Sequence, residues 1–531
     1  MIQKFTISIC LIFFVMINVN SQTWIRIYGG TPSIEGHRIF VHYDKGYILS
    51  GQQFEGNNSF GWLMKTDING NERWSKSYGK NGKVNSFYSS CLTSDGGLIC
   101  IGGSDKVNSN CTDPLILKLN ACGDKEWCKI FNSTNCNSFG IDITTVPGGG
   151  YMALLQDWIN SPDVWLFRLD STGEIIWTQN YVANSNIFWS PEAQSLKRNS
   201  DYSFLITGNS YSPDSLIPKY LLLKIFLVKV NISGNILFET PWGTNNGIIS
   251  DPYFSTEDNK HKIYTAGRRA RQIAPYGDSP CLFKTTANGY PINYTDLRSN
   301  SYLGISTTIN WFQDSSLVIG SVWQGLTGVD TTAVIKTDSN GNILNTKILL
   351  PTESLSLLGS DITSDNKLVI EGFNFNTTYI FKLNSDLAYD SIYTQNFIYD
   401  SLCPHPIISD TISMDDCMTV VVGIDDPIKH PEKTKLHIYP NPAKNAITIE
   451  MPQYLTRQST GYGITATTYY HQWNTTTLEI YDLFGKLMYS KEIPKKTEKV
   501  DLDVSTWHEG MYVARVVFMN EIVAGAKFVV E

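Results

Sequence analysis

Lys45-Gly-Tyr-Ile-Leu-Ser-Gly51, a loop, then Gly61-Trp-Leu-Met-Lys-Thr-Asp-Ile-Asn-Gly-Asn-Glu-Arg-Trp-Ser-Lys-Ser-Tyr-Gly79 is the stretch that decides the fold. Apolar residues alternate, and Gly and Asn punctuate them, as in short strands joined by tight turns. The pattern recurs at Gly96-Gly-Leu-Ile-Cys-Ile-Gly-Gly103 with Leu115-Ile-Leu-Lys-Leu-Asn120. It recurs again at Gly149-Gly-Tyr-Met-Ala-Leu154 with Trp165-Leu-Phe-Arg-Leu-Asp170. Weaker copies follow at 204–208 with 228–235, 262–267 with 283–289, 317–320 with 334–342, and 368–372 with 379–384. One basic residue holds the same place in every copy: Lys65, Lys118, Arg168, Lys229, Lys284, Lys336 and Lys382.

The repeat spacing is about fifty residues, the range of propeller blades. A lone four-stranded sheet exposes two apolar faces. Packing such sheets radially covers both faces and leaves few edges. The chain is therefore expected to be all-β: a seven-bladed β-propeller over 22–397, followed by a small C-terminal β-sandwich. Trp24-Ile-Arg-Ile-Tyr-Gly29 matches Trp74-Ser-Lys-Ser-Tyr-Gly79, the fourth strand of a unit, but lacks preceding strands. It is expected to complete the blade holding residues 368–381. Ser391-Ile-Tyr-Thr-Gln395 competes for that place.

The C-terminus carries a different pattern. Ile438-Tyr-Pro-Asn-Pro-Ala443, Leu478-Glu-Ile-Tyr-Asp-Leu-Phe-Gly-Lys486, Val500-Asp-Leu-Asp-Val-Ser-Thr-Trp-His-Glu-Gly-Met-Tyr-Val513 and Lys527-Phe-Val-Val-Glu531 follow in order. Proline fixes φ and lacks a donor, so Pro440-Asn-Pro442 reads as a turn between strands. The four blocks resemble the type A sorting domain of the type IX secretion system of Bacteroidetes. The resemblance carries over to Pro440, Asn441, Pro442, Asp482, Gly485, Gly510, Tyr512 and Lys527. It implies the type IX secretion machinery as a partner of residues 435–531, and a secreted or outer-membrane-surface destination. A polar insertion, 453–477, departs from the pattern and is expected to lengthen one loop.

Residues 1–21 read as a signal peptide: Lys4, an apolar run, and Val19-Asn-Ser21 before the cleavage point. The net charge of −8 argues against a nucleic-acid partner. Six of the ten cysteines fall between Cys91 and Cys136, which suits disulfides in an oxidising compartment. No CxxC pair or nearby histidine completes a zinc site. Cys122 and Cys128 flank a tight turn, and Cys403 and Cys417 bracket a linker at 398–434. Closed as two short loops, these would contribute about 2 and 3 kcal/mol. Six clustered cysteines allow fifteen pairings, and spacing does not choose among them. Cys281 stands where other copies have an aromatic residue, so a buried small hydrophobe is expected there.

The chemistry-bearing motifs are few. Asp67-Ile-Asn-Gly-Asn71 and Asp338-Ser-Asn-Gly-Asn342 are too short and too poor in acids for calcium loops, and fit hairpin turns better. They also resemble the Asp-box of sialidases, but with different spacing. No G-x-S-x-G, H-E-x-x-H or P-loop is present. Neither a metal nor a cofactor is expected.

Connections after the second strand of each unit are long and dissimilar, and variable loops on a rigid scaffold commonly carry recognition. Trp158, Tyr211, Tyr276 and Trp323 lie in or beside them, as do Arg268, Arg269 and Arg271. These residues suit an extracellular glycan or protein ligand. The competing reading is a secreted hydrolase or lyase with paired acids in the propeller channel.

Overall fold

The computed structural model describes residues 24–531 apart from 57, 80–82, 106–110, 133–137, 158–162, 182–188, 214–220, 243–249, 272–276, 299–300, 326–329, 351–354, 422–433, 452–475, 483–485, 495–496 and 519–520. The candidate signal peptide lies outside these residues.

Among the described residues, seven sheets are each built on four antiparallel strands. Blade 1 runs from the inner strand Ser33–Val41 to the outer strand Glu72–Gly79, and blade 2 from Asn85–Leu92 to Lys125–Asn132. Blade 3 spans Ser138–Thr145 to Ile175–Asn180, and blade 4 Trp189–Arg198 to Ile236–Trp242. Blade 5 spans Ser250–Glu257 to Pro291–Asp296, and blade 6 Ser301–Trp311 to Ile343–Leu350. Blade 7 takes Ser356–Ile362, Leu368–Asn374 and Thr377–Leu383 from one end of the repeat region and Ile25–Gly29 from the other.

The closing strand pairs antiparallel, with Ile25 opposite Phe381 and Tyr28 opposite Thr378. Trp24 is fully buried beside it, edge-on to Tyr47 of blade 1. Residues 391–395 form no strand, and Tyr393 instead bonds Asn69 and Asp365 across the turns. Apolar clusters fill each gap between successive blades, including the gap between blades 7 and 1, where Trp24, Ile39, Leu49, Val369 and Ile380 meet. The sheets therefore close a ring as a β-propeller. Cys281 is buried and free, as its place in the repeat suggests.

The repeated basic residue has a structural cause. Each inner strand turns through five residues whose fourth member has positive φ: Lys45, Gly96, Gly149, Tyr202, His261, Ser315 and Asn366. In blades 1, 2, 4 and 6 the third member is an acid that meets the third-strand lysine: Asp44–Lys65, Asp95–Lys118, Asp201–Lys229 and Asp314–Lys336. Blade 3 has Val146-Pro-Gly-Gly-Gly150 and no acid, and there Arg168 donates to backbone carbonyls, Gly149 O at 2.8 Å among them. In blade 5 the acid stands at Asp258 and Lys260 takes its place, so Lys284 reaches Ser339 O of blade 6. In blade 7 Lys382 pairs with Asp390.

The candidate calcium loops are hairpin turns. Asp67 Oδ1 accepts from the amides of Asn69 and Asn71, and Asp338 Oδ1 from those of Asn340 and Asn342, an arrangement that caps the turn.

The cysteine pairing corrects the short-loop expectation. Cys122 joins Cys403, and Cys128 joins Cys417. The cause is the course of the chain after blade 7. Thr411–Ser413 adds a parallel strand to the outer edge of blade 1, and Met418–Val421 adds one to blade 2. The first part of the expected linker is thus an outer strap on the propeller, stapled to it twice. Cys111 is also disulfide-bonded.

The C-terminal domain is a sandwich of a five-stranded and a three-stranded sheet around one apolar cluster that includes Leu436, Ile447, Ile449, Leu478, Ala514 and Phe528.

Candidate functional site

Every inner strand breaks its register at the same point. The unpaired residues are His37, Tyr88, Ile141, Gln194, Tyr253, Thr307 and Leu358. Bulges of this kind bend a strand and re-aim one side chain. Here they recur at one level of the ring, where His37 and Tyr88 meet.

Blades 1, 2, 3 and 7 form an aromatic group at this level. His37 stacks on Tyr88 at 5.3 Å, Tyr88 meets Phe139 edge-on at 5.8 Å, and Phe373 meets His37 edge-on at 6.5 Å. His37 Nδ1 sits 2.8 Å from Phe87 O, and Nε2 faces Glu35 at 3.4 Å. Gln52 donates to the other Glu35 oxygen. The His37 contact holds the Glu35 carboxyl below its usual pKa against the opposing effect of burial. The group lies toward the end of the channel onto which the second-to-third-strand hairpins open.

Farther along the inner strands, the acids are already engaged. Asp142 accepts from Ser89 Oγ, from the Ile143 amide and from the Leu196 amide of blade 4. Asp361 accepts from the Val41 amide of blade 1 and from the Ile362 amide. These carboxylates clamp neighbouring blades. Glu371 is fully buried behind Gly36, where an added Cβ would lie 2.0 Å from its Oε1. Among the described residues, neither Glu371 oxygen has a hydrogen-bond partner, and burial pushes its pKa up to about 8, with Arg38 opposing. Cys91 is a free thiol whose pKa burial raises to about 12.

The residues singled out from the loops divide. Trp158 and Tyr276 lie outside the described residues. Tyr211 and Arg271 are on strands, opposite Leu223 and Gly277 in register. Arg268 faces Asp278 across its hairpin at 3.1 Å. Arg269 pairs with both oxygens of Asp296 and covers the Tyr294 ring at 4.8 Å, so it is held within blade 5. Trp323 is a core residue between blades 5 and 6, 6% exposed, with Arg298 over its ring. The second and third strands continue well past the apolar repeat, so Arg268, Arg269 and Trp323 belong to paired strands and not to loops. Gln52–Glu55 and Asn58–Gly61 are likewise paired strand residues. Sequence reasoning missed the bulge residues. The signal was available, because each stands five residues before the first residue of its blade's first turn.

In the C-terminal domain, Asn441 ties the Pro440–Pro442 turn to the last strand. Its Oδ1 accepts from the Val529 amide at 2.9 Å, and its Nδ2 donates to Lys527 O. Pro440, Pro442 and Lys527 are exposed around it. Asp482 Oδ1 accepts from the Lys486 amide, while Gly485 lies outside the described residues. Tyr512 stacks on Phe528 and donates to His508 O, two residues before Gly510.

Residues 437–531 match the family described as "Secretion system C-terminal sorting domain". This tail marks an exported chain handled by the type IX secretion machinery, with a cell-surface or secreted destination. No curated protein matches the chain. Among solved structures, the chain is similar to a protein of unknown function from Bacteroides caccae (11% identity, 59% of this chain and 97% of that one, TM-score 0.34). It is also similar to a polysaccharide lyase (10%, 68% and 92%, TM-score 0.41) and to the β-propeller domain of the Trilobed protease from Pyrococcus furiosus (9%, 68% and 100%, TM-score 0.39).

Proposed function

We propose that the propeller is an exported binding module that captures an extracellular glycan or protein at the channel mouth formed by His37, Tyr88, Phe139 and Phe373. The observation that carries this reading is the stack of half-buried aromatic rings from different blades at one level of the channel. Such rings offer flat apolar faces with polar edges, the surface that suits sugar rings and protein side chains. Their backbones belong to a closed ring, so little ordering opposes binding.

The hydrolase or lyase reading draws no comparable support. Asp142 and Asp361 each accept hydrogen bonds from a neighbouring blade and from their own strand, and Glu371 is fully buried. A general acid or base must reach the proton it moves.

The test is to probe glycan and surface-protein arrays with the mature chain, then to titrate any ligand found. Tyr88→Ala should weaken binding about ten-fold or more, as loss of an aromatic anchor does. Lys262→Ala, on the short-turn side, should leave binding unchanged. Equal binding by parent and Tyr88→Ala would refute capture at this mouth.

A further inference from the structure

Among the described residues, two inner-strand cations make no ion pair. Arg38 directly follows the bulge residue of blade 1, and its guanidinium lies 5.1 Å from the Phe254 ring on the inner strand of blade 5. Blades 1 and 5 are not neighbours, so Arg38 reaches across the axis. Lys197 projects from the inner strand of blade 4. It is exposed, yet within electrostatic reach of Asp361 on blade 7, Arg38 on blade 1, Asp142 on blade 3 and Arg198 beside it. Only a side chain inside the ring meets charges from so many blades.

Among the described residues, neither Arg38 nor Lys197 makes a hydrogen bond or an ion pair. Their surroundings explain why. Asp142 and Asp361 already accept backbone amides, and Arg198 is spent on Thr145. Glu35 is held by His37 and Gln52. Glu371 is shielded behind Gly36, and the Cys91 thiol carries no charge at neutral pH. Arginine offers five donors in a planar fork and lysine three, and neither can accept. Two such cations on the inner strands of one ring attract an anion jointly. The fork of Arg38 suits two oxygens of one oxyanion, with Lys197 supplying a point charge.

We propose that Arg38 and Lys197 form an oxyanion site in the channel, binding a carboxylate or sulfate group of a ligand whose body rests on the His37–Tyr88 rings. This rests on the capture reading above and names its ligand class as anionic.

The mature full-length chain is titrated by calorimetry with inorganic sulfate, with D-glucuronate and with D-glucose, at constant ionic strength. At least one of the two anions should bind at a single site and glucose should not. Which anion binds identifies a sulfate-taking or carboxylate-taking site. Lys197→Met and Arg38→Met should each weaken anion binding about ten-fold or more, the usual scale for a lost charged hydrogen bond. Lys45→Met, on the short-turn side, should not. Arg38 packs on Phe254, so if its variant fails to fold, Lys197→Met alone decides. Absence of binding by both anions, or unchanged affinity in Lys197→Met, would overturn the site. A neutral array ligand unaffected by Lys197→Met would overturn the anionic class while leaving capture at the mouth intact. Anion binding with no array ligand would do the reverse.

Discussion

The Lys65 ammonium lies 2.7 Å from both carboxylate oxygens of Asp44, with both side chains almost sealed from water beneath the first turn of blade 1. Burial opposes ionisation of Asp44. Hydrogen bonds from His42 and Lys65 and the lysine's charge outweigh it, and hold the carboxyl far below its usual pKa. Removing one partner of such a pair strands a buried charge. We expect Asp44→Ala to cost about 3 kcal/mol at pH 7, measured by urea unfolding. The folded-state pKa is depressed, so the contribution is present above the ordinary value of 3.8 and fades as pH falls below it. The gap between parent and variant should therefore narrow in strong acid.

Glu371 has the opposite sign. Its carboxyl is neutral in the fold up to about pH 8, but ionises near 4.5 when the chain unfolds. Between those values the unfolded chain binds fewer protons, so this group's contribution falls as pH rises. The total loss is on the order of several kcal/mol. Glu371→Gln keeps the shape and removes the titration. Its melting temperature should exceed the parent's at pH 8 and approach it at pH 4.5. A parallel pH profile for the two proteins would contradict this assignment.

The strap should respond to reduction before the ring does. Replacing Cys403 and Cys417 with Ser removes both staples. Each is expected to be worth about 2–5 kcal/mol, while the apolar clusters between the other blades contain no strap residue that is fully buried. Limited proteolysis should then cut within residues 398–421 and leave a protected fragment ending near residue 397. Simultaneous loss of the whole propeller would show that the strap is part of one cooperative unit.

Much of this was legible in the chain. The repeat spacing, the basic residue in each copy and the orphan fourth strand at Trp24 anticipated the blades and the way Ile25–Gly29 closes the ring. These are local patterns tied to the turn-and-strand period. What escaped notice depends on contacts far apart in sequence. Cys122 meets Cys403 across 281 residues, and no spacing rule anticipates a strap that returns to blades 1 and 2. Trp323 resembled a loop aromatic because apolar alternation stops before the strand does. The bulge at His37 and Tyr88 is one residue of extra length in an otherwise regular strand, visible only when all seven inner strands are aligned.

The C-terminal domain should be dispensable for folding of the propeller and needed for its delivery. Deleting residues 435–531 removes one self-contained apolar cluster. We expect the truncated chain to accumulate, folded, in the periplasm of a host with a type IX system, as read by cell fractionation and protease accessibility. Normal surface display would contradict the role of the tail.

Ligand capture at the channel mouth is tested most directly by hydrogen–deuterium exchange on the mature chain, with and without the first array ligand. Protection should concentrate in the inner-strand segments 35–38 and 86–89, around His37 and Tyr88. Protection confined to the outer strands, or to the short turns at 42–46 and 93–97, would place the binding surface elsewhere and contradict the account.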